Sequence, residues 1–379
     1  MTEIKKIDFE NVIYNPGLRS IKVGDTSLVP LSEKNRGLTY CGYHIDDLGL
    51  NSTFEETSYL IVNGELPNRE QLAEWTQKLI NSRSLPKMVK LILNQIPQDT
   101  HPMDVLRTAV SVLGVEEPEQ NDDHKTVGIR LLGVLPTIIA YWYLKSRGKE
   151  IRLDSKEEAV GGYFLDILKQ KRPTDTERNM MNCSLIMYAE HELAASTFAT
   201  RVCISTLSDF HSAICSGIGT LKGPLNGGAN EAAMRLLSSF SDPSDAEKGI
   251  RRMLQQKELV MGFGHAYYAT GDPRSPHMKK WARKLSEERN DMNLFNIAET
   301  IENVMREEKG LHPNLDYYTA VAYAMTDIPR ELATPVFTMS RSSGWIAHIA
   351  EQRVGNKLIR PIAKYVGHDE REYVPLDKR

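Results

Sequence analysis

The chain has 379 residues, with 47 Lys and Arg against 50 Asp and Glu and a formal net charge of −3. This length suffices for a large core and usually for two domains, and 41% hydrophobic with 26% charged residues is an ordinary globular composition. The charge balance offers no basic face to a nucleic acid, although a few local arginines can still hold a small anion.

The N-terminal "MTEIKKIDFENVIY" has charges but no apolar core, so it does not read as a secretory signal. Residues 1–50 hold turn signals such as "YNPGLRS" and "KNRGLTYCGYHIDDLG", which predict short strands or irregular chain. From Ser52 the texture turns helical. "STFEETSYLIVNG" offers Ser52 as an N-cap, Glu55 three residues on, and Gly64 as a stop. "NREQLAEWTQKLINS" has Asn68 as a cap and Leu72, Trp75 and Leu79 on one face. "HPMDVLRTAVSVLG" and "SKEEAVGGYFLDILKQ" predict two more helices, and Pro67, Pro86 and Pro102 sit near the breaks. The apolar run "VLPTIIAYWYL" is too short to cross a bilayer and suits a buried helix.

Thr174 to Gly219 is rich in Ala, Ser, Thr and Gly. Small residues let helices approach closely, as in a core or across a subunit interface. Residues 235–310 are more charged and predict surface helices of a smaller lobe. From Glu331 the chain is apolar again, with Arg341, Trp345 and His348 on one helical face and Gly355 as its end. Period-two alternation is nearly absent beyond residue 50, so the chain reads as mostly α-helical. Cys41, Cys183, Cys203 and Cys215 form no CxxC pair, which predicts free thiols in a reducing compartment and no zinc cluster.

Several polar residues stand in company that suggests a pocket. His191 lies among small helix formers in "YAEHELAAST", where a core role and a ligand role both fit. His265 lies in "GFGHAYYATGDPR", where glycines flanking Phe263 allow backbone to approach a ligand. Asp316 falls at or just inside the start of a helix in "PNLDYYTA", as a cap or as a functional carboxylate. Arg274, Arg341 and Arg360 could clamp carboxylates, since a guanidinium fork matches a carboxylate bidentately. The sequence has no HExxH, GxSxG, Walker loop or GxGxxG. A carboxylate base, polar groups for a carbonyl and arginines for carboxylates together suit acid–base work on a carbon acid.

Together "YAEHELAAST", "LKGPLNGGANEA", "GFGHAYYATGDPR", "PNLDYYTA", "MSRSSGWIAHIAEQR" and "KLIRPIAKYVG" resemble the citrate synthase family in order and spacing, from about Gly37 to Arg379. "HPMDVLRTAVSVLG" and the ending "EREYVPLDKR" resemble its 2-methylcitrate synthase branch. The resemblance implies an all-α fold with a large domain (1–221 and 326–379) and a smaller lid domain (222–325). It implies a cytoplasmic homodimer, or a multiple of dimers, acting on oxaloacetate and an acyl-CoA thioester, with no metal or other cofactor, no nucleic acid and no membrane. Propionyl-CoA or acetyl-CoA would be condensed with oxaloacetate to 2-methylcitrate or citrate.

By the same resemblance, Asp316 is the base that takes the α-proton and His265 polarises the oxo carbonyl. His191 binds the oxo acid, Arg274 and Arg341 hold its carboxylates, and Arg360 reaches across from the other subunit. Leu259, Val260, Met261, Gly262 and Phe263 line the coenzyme A site. Asn226 stands where the family normally has a histidine that donates to the thioester oxygen as it becomes an enolate. Cys41 stands in place of an arginine, and Ala266-Tyr267 in place of Arg-Val. These departures leave open a synthase with one exchanged catalytic group, a divergent homologue acting on another acyl-CoA and 2-oxo acid pair, and a non-catalytic ligand-binding protein.

Overall fold

The computed structural model describes residues 12–18, 20–30, 37–121, 123–265, 267–268 and 270–379. Among them the chain is all-α apart from one hairpin, in which Thr39–Tyr40 (β1) pairs antiparallel with Tyr43–His44 (β2). Cys41 and Gly42 make its turn, both at positive φ. The irregular chain expected over residues 1–50 is present at 12–18 and 20–30, while residues 1–11, 19 and 31–36 lie outside the described residues.

Sixteen α-helices follow among the described residues. α1 (Ile45–Asn51) and α2 (Phe54–Asn63) abut. Thr53, not Ser52, caps α2, its hydroxyl accepting from the Glu56 N–H at 3.1 Å. Ser52 is already committed, because its own N–H closes the last turn of α1 on the Leu48 carbonyl. Gly64 ends α2 in the left-handed region, as its type favours. α3 (Arg69–Asn81) starts with a reciprocal box between Asn68 and Gln71 and buries Trp75 and Leu79. α4 (Lys87–Gln95) and α5 (Pro102–Glu116) follow.

α6 (His124–Ser146) carries the apolar run and is longer than that run suggested. By length and composition it could cross a bilayer, yet its most apolar stretch is 89% buried within the protein, so it is a core helix. α3, α5, α7 (Val160–Lys169) and α16 (Ala333–Val354) surround it. α8 (Asp175–Tyr188), α9 (Ala195–Ser205) and α10 (Phe210–Leu221) form the small-residue segment. α9 and α10 lie so close that a Cβ on Gly217 would come within 2.5 Å of the Thr200 hydroxyl.

α11 (Gly228–Leu237), α12 (Pro243–Gln255), α13 (Ser275–Glu288), α14 (Asn293–Lys309) and α15 (Leu315–Ala324) come next. α12 packs on α14, α13 on α15 and α8, and α11 on α15 and α16. α15 is buried from Tyr317 to Tyr323, and α16 from Ala333 to Ile349. Beyond Gly355 the chain is an exposed tail. Its root is held where Asn356 Nδ2 donates to the Ser205 carbonyl and the Ile359 N–H to the Ser205 hydroxyl, at 3.0 and 3.1 Å. The rest displays Tyr365, Val366, Tyr373 and Leu376 to solvent.

Candidate active site

Asp316 is the second residue of α15 and does not cap it. Asn314 is the cap, its side chain accepting from the Asp316 N–H at 3.1 Å, which frees the Asp316 carboxyl for other partners. One of these is Tyr188 at the end of α8, whose hydroxyl donates to Asp316 Oδ1 at 2.6 Å. Asn230 on α11 in turn donates to that hydroxyl oxygen at 2.8 Å. Enclosure of the carboxyl pushes Asp316 up to about 6, against the opposing pull of Tyr188 and of the Arg274 charge. The Tyr188 hydroxyl is itself driven well above its usual range by burial and by Asp316, so it stays a neutral donor.

His191 is buried, and its Nε2 lies 3.0 Å from the Tyr268 hydroxyl. Its ring centre is 5.0 Å from that of His265. Burial and then the Arg274 charge bring His265 down to about 4, and burial with Arg274, His265 and Arg341 holds His191 well below its usual value. Both are neutral imidazoles near pH 7. His265 Nδ1 accepts from the Tyr267 N–H at 3.2 Å, so its proton sits on Nε2, which becomes the donor. Ala266 lies outside the described residues. The glycine-flanked turn before His265 is forced by packing: Gly262 has φ 91°, and a Cβ there would stand 2.6 Å from the Tyr317 ring.

Arg274 is buried and held at both edges of one carboxylate, Nε to Asp272 Oδ1 at 2.9 Å and Nη2 to Oδ2 at 2.8 Å. Asp272 Oδ2 also accepts from the Leu315 N–H at 3.0 Å, so this carboxylate ties the arginine to the first residue of α15. Burial opposes the Asp272 charge, but Arg274 outweighs it and the group stays below its usual range. Arg341 on α16 is buried and donates from Nε to the Tyr188 carbonyl at 2.8 Å. His191, His265, Arg274 and Arg341 thus converge, as the mutual influence of their charges shows. Arg360 does not join them within this chain and lies on the exposed tail.

Asn226 sits on the turn between α10 and α11. Its Oδ1 accepts from the Ser196 N–H at 3.2 Å. Ser196 is the second residue of α9, a helix whose own cap position, Ala194, has no side-chain acceptor. A backbone N–H can only donate, so the amide oxygen must face α9 and the amide NH2 must face away. No acceptor among the described residues engages that NH2, which leaves a donor one helical turn before Asn230.

Leu259 to Phe263 lie beside the entry to α15 and turn at Met261 and Gly262, with Phe263 bridged to Pro313 and the Asn314 N–H donating to the Gly262 carbonyl at 2.9 Å. Leu259 is exposed, Val260 and Gly262 buried, and Met261 and Phe263 half-buried. The Cys41 thiol is pushed up to about 11 by burial and nearby carboxylates, which leaves it unreactive. Among the described residues no group of three or more His, Cys, Asp or Glu is placed to hold a metal ion. Tyr188, Asn230, Asp272 and Tyr268 were not singled out from sequence. Each lies inside a quoted motif, and only the fold shows which way they face.

A family model described as citrate synthase, C-terminal domain, matches residues 17–362. The chain is 45% identical to 2-methylcitrate synthase of Shewanella oneidensis over 96% of its own length and 97% of that protein. It is 40% identical to citrate synthase 2 of Bacillus subtilis, covering 90% and 93% of the two chains. The structure superposes on citrate synthase from Thermotoga maritima with a TM-score of 0.87 at 35% identity, covering 97% of this chain and 99% of that one. It also superposes on Thermoplasma acidophilum citrate synthase in ternary complex with carboxymethyl coenzyme A and oxaloacetate, with a TM-score of 0.88 at 32% identity over 95% and 98% of the chains. With sequence and fold in agreement along nearly the whole length, the chain belongs to the citrate synthase family.

Proposed function

We propose that this protein condenses an acyl-CoA thioester with oxaloacetate, taking propionyl-CoA to 2-methylcitrate and acetyl-CoA to citrate. The observation that carries the reading is one site holding a carboxylate of raised pKa, two neutral histidines and two buried arginines. The ternary complex of the Thermoplasma acidophilum enzyme and the 2-methylcitrate synthase of Shewanella oneidensis support the substrate pair.

In this reading Arg274 and Arg341 hold the oxo-acid carboxylates and His191 its polar end, with Arg360 supplied by a partner subunit. Asp316 takes the α-proton of the thioester, and the electron pair moves onto the thioester oxygen, where the Asn226 NH2 donates. The enolate carbon then attacks the oxo carbonyl, whose oxygen gathers charge beside the His265 Nε2–H. Water hydrolyses the thioester and releases CoA. Leu259 to Phe263 provide backbone for the coenzyme, residues 222–325 act as the lid, and the enzyme works in the cytoplasm as a dimer or a multiple of dimers.

Thermal-shift titration with oxaloacetate tests the binding half. A hundredfold excess over Kd adds roughly 2.7 kcal/mol to stability, so Tm rises. An unchanged Tm up to millimolar oxaloacetate counts against the site. Thiol release with each acyl-CoA tests the rest. Propionyl-CoA should compete with acetyl-CoA, and one methylene separates them by no more than roughly 10-fold to 200-fold. A strong preference for acetyl-CoA assigns the enzyme to citrate formation.

The pH profile follows from Asp316. The base works as a carboxylate, so log kcat/KM should fall with unit slope as pH drops below about 6 and be flat just above it. His265, at about 4, is neutral throughout that range. A profile with no break between pH 5 and 7 excludes Asp316 as the base.

A second reading, a ligand-binding protein without turnover, is favoured by the absence of imidazole at Asn226 and, faintly, by Cys41 in place of an arginine. The retained Asp316 and His265 oppose it, since a binding module needs no base.

A further inference from the structure

We infer that Asn230 and Tyr188 form a positioning relay, carboxamide to hydroxyl to carboxylate, that keeps Asp316 ionised and aimed at the substrate carbon. The inference rests on the reading of Asp316 as the base. Asn230 Nδ2 donates to Tyr188 Oη at 2.8 Å, and Tyr188 Oη donates to Asp316 Oδ1 at 2.6 Å. The sense of the chain is fixed by counting hydrogens: the tyrosine has one, spent on the carboxylate, so the amide must present its NH2 to the hydroxyl. A donor on the hydroxyl oxygen polarises its O–H and strengthens the bond to the carboxylate.

Packing does not account for Asn230. It is fully buried, and its Oδ1 has no hydrogen-bond partner. A leucine of similar size would avoid that unpaired acceptor, so the carboxamide is kept at a cost in stability. Tyr188 is held on its other sides too, with its ring 4.3 Å from that of Phe337 and its carbonyl bonded to Arg341. The relay therefore joins α11, α8 and α15, and begins one turn past Asn226. The other charged or titratable groups that act on or feel Asp316 are Arg274, Asp272, Arg341 and Tyr323. Beside them, the Tyr188 hydroxyl is bonded to its carboxyl at 2.6 Å, and Asn230 adds a weaker direct pull on the same carboxyl in the same direction.

The test is a direct titration of Asp316 by its carboxyl infrared band, assigned with Asp316→Asn, in wild type, Tyr188→Phe, Asn230→Leu and the double variant. Tyr188→Phe should raise the Asp316 pKa by about one pH unit or more. Asn230→Leu should raise it by about half a unit with Tm unchanged or higher. In the double variant the added shift from losing Asn230 should be well below the shift of Asn230→Leu alone, because most of its effect passes through the hydroxyl and only a small part acts directly. Where turnover is measured, the acid limb of log kcat/KM should move by the same amount, with oxaloacetate affinity unchanged.

An unmoved pKa in Asn230→Leu, or shifts that add in full in the double variant, overturns the relay. Tyr188→Phe loses one oxygen only, so an unshifted titration there is decisive even if the leucine variant does not fold. The titration needs no turnover. Absent thiol release in wild type would defeat the condensing function while still leaving the relay tested.

Discussion

Exchanging Asn226 for histidine is expected to raise the rate of the chemical step by roughly 10-fold to 1,000-fold, or about 1.4 to 4 kcal/mol of transition-state binding. The geometry gives the reason. Asn226 Oδ1 already takes the Ser196 N–H of α9, and an imidazole Nδ1 can take the same bond. Its proton then sits on Nε2, which projects farther from the backbone than the amide NH2 and reaches the developing enolate oxygen. Affinity for oxaloacetate should stay nearly constant, because the proposed function places that site on His191, Arg274 and Arg341. Stopped-flow thiol release under saturating substrates, with isothermal titration of oxaloacetate, separates the two effects. If the histidine variant is no faster, or slower, the pocket has been rebuilt around Asn226 and the divergent-substrate reading leads.

Asp316→Asn should act in the opposite direction, with a loss of kcat of roughly 100-fold to 10,000-fold, the usual worth of a positioned base. The variant keeps the shape of the side chain and can still accept from the Tyr188 hydroxyl through its amide oxygen. Folding and oxo-acid binding should therefore survive. Thiol release measured beside an oxaloacetate thermal shift makes the comparison internal. A variant that binds normally and turns over as fast as wild type would sink the condensing reaction and leave only ligand binding.

The helical architecture was legible because apolar residues recur at helical spacing and caps fall where chemistry expects them. Asn68 and Gly64 do what their types suggest. The start of α2 was misplaced by one residue because Ser52 and Thr53 are both good caps, and only the end of α1 decides between them. In the candidate site, Asp316, His191, His265, Arg274 and Arg341 were visible as polar residues in apolar or glycine-rich company. Their assignment to roles came from resemblance, since spacing alone left each with an ordinary structural alternative. Tyr188, Asn230 and Asp272 were hidden for another reason. A buried tyrosine or asparagine in a helix looks like packing until the facing helix is in place, and the partners of Tyr188 and Asn230 lie far along the chain; Asp272 reads as part of a turn, and only the fold adds the Leu315 N–H to its Arg274 pair.

The burial of α6 has a consequence for how the chain is made. Its helical neighbours α3, α5 and α7 are close in sequence, but one face rests on α16, where a Cβ on Gly128 would meet the Ile346 side chain at 2.9 Å. At ordinary translation speeds the roughly 190 residues between the two helices take about 10 to 40 s to synthesise. For that interval a nascent helix greasy enough for a bilayer waits with one side uncovered. Chains truncated before α16 should therefore misfold or recruit chaperones, because the helix that closes the core lies so far along the chain from α6.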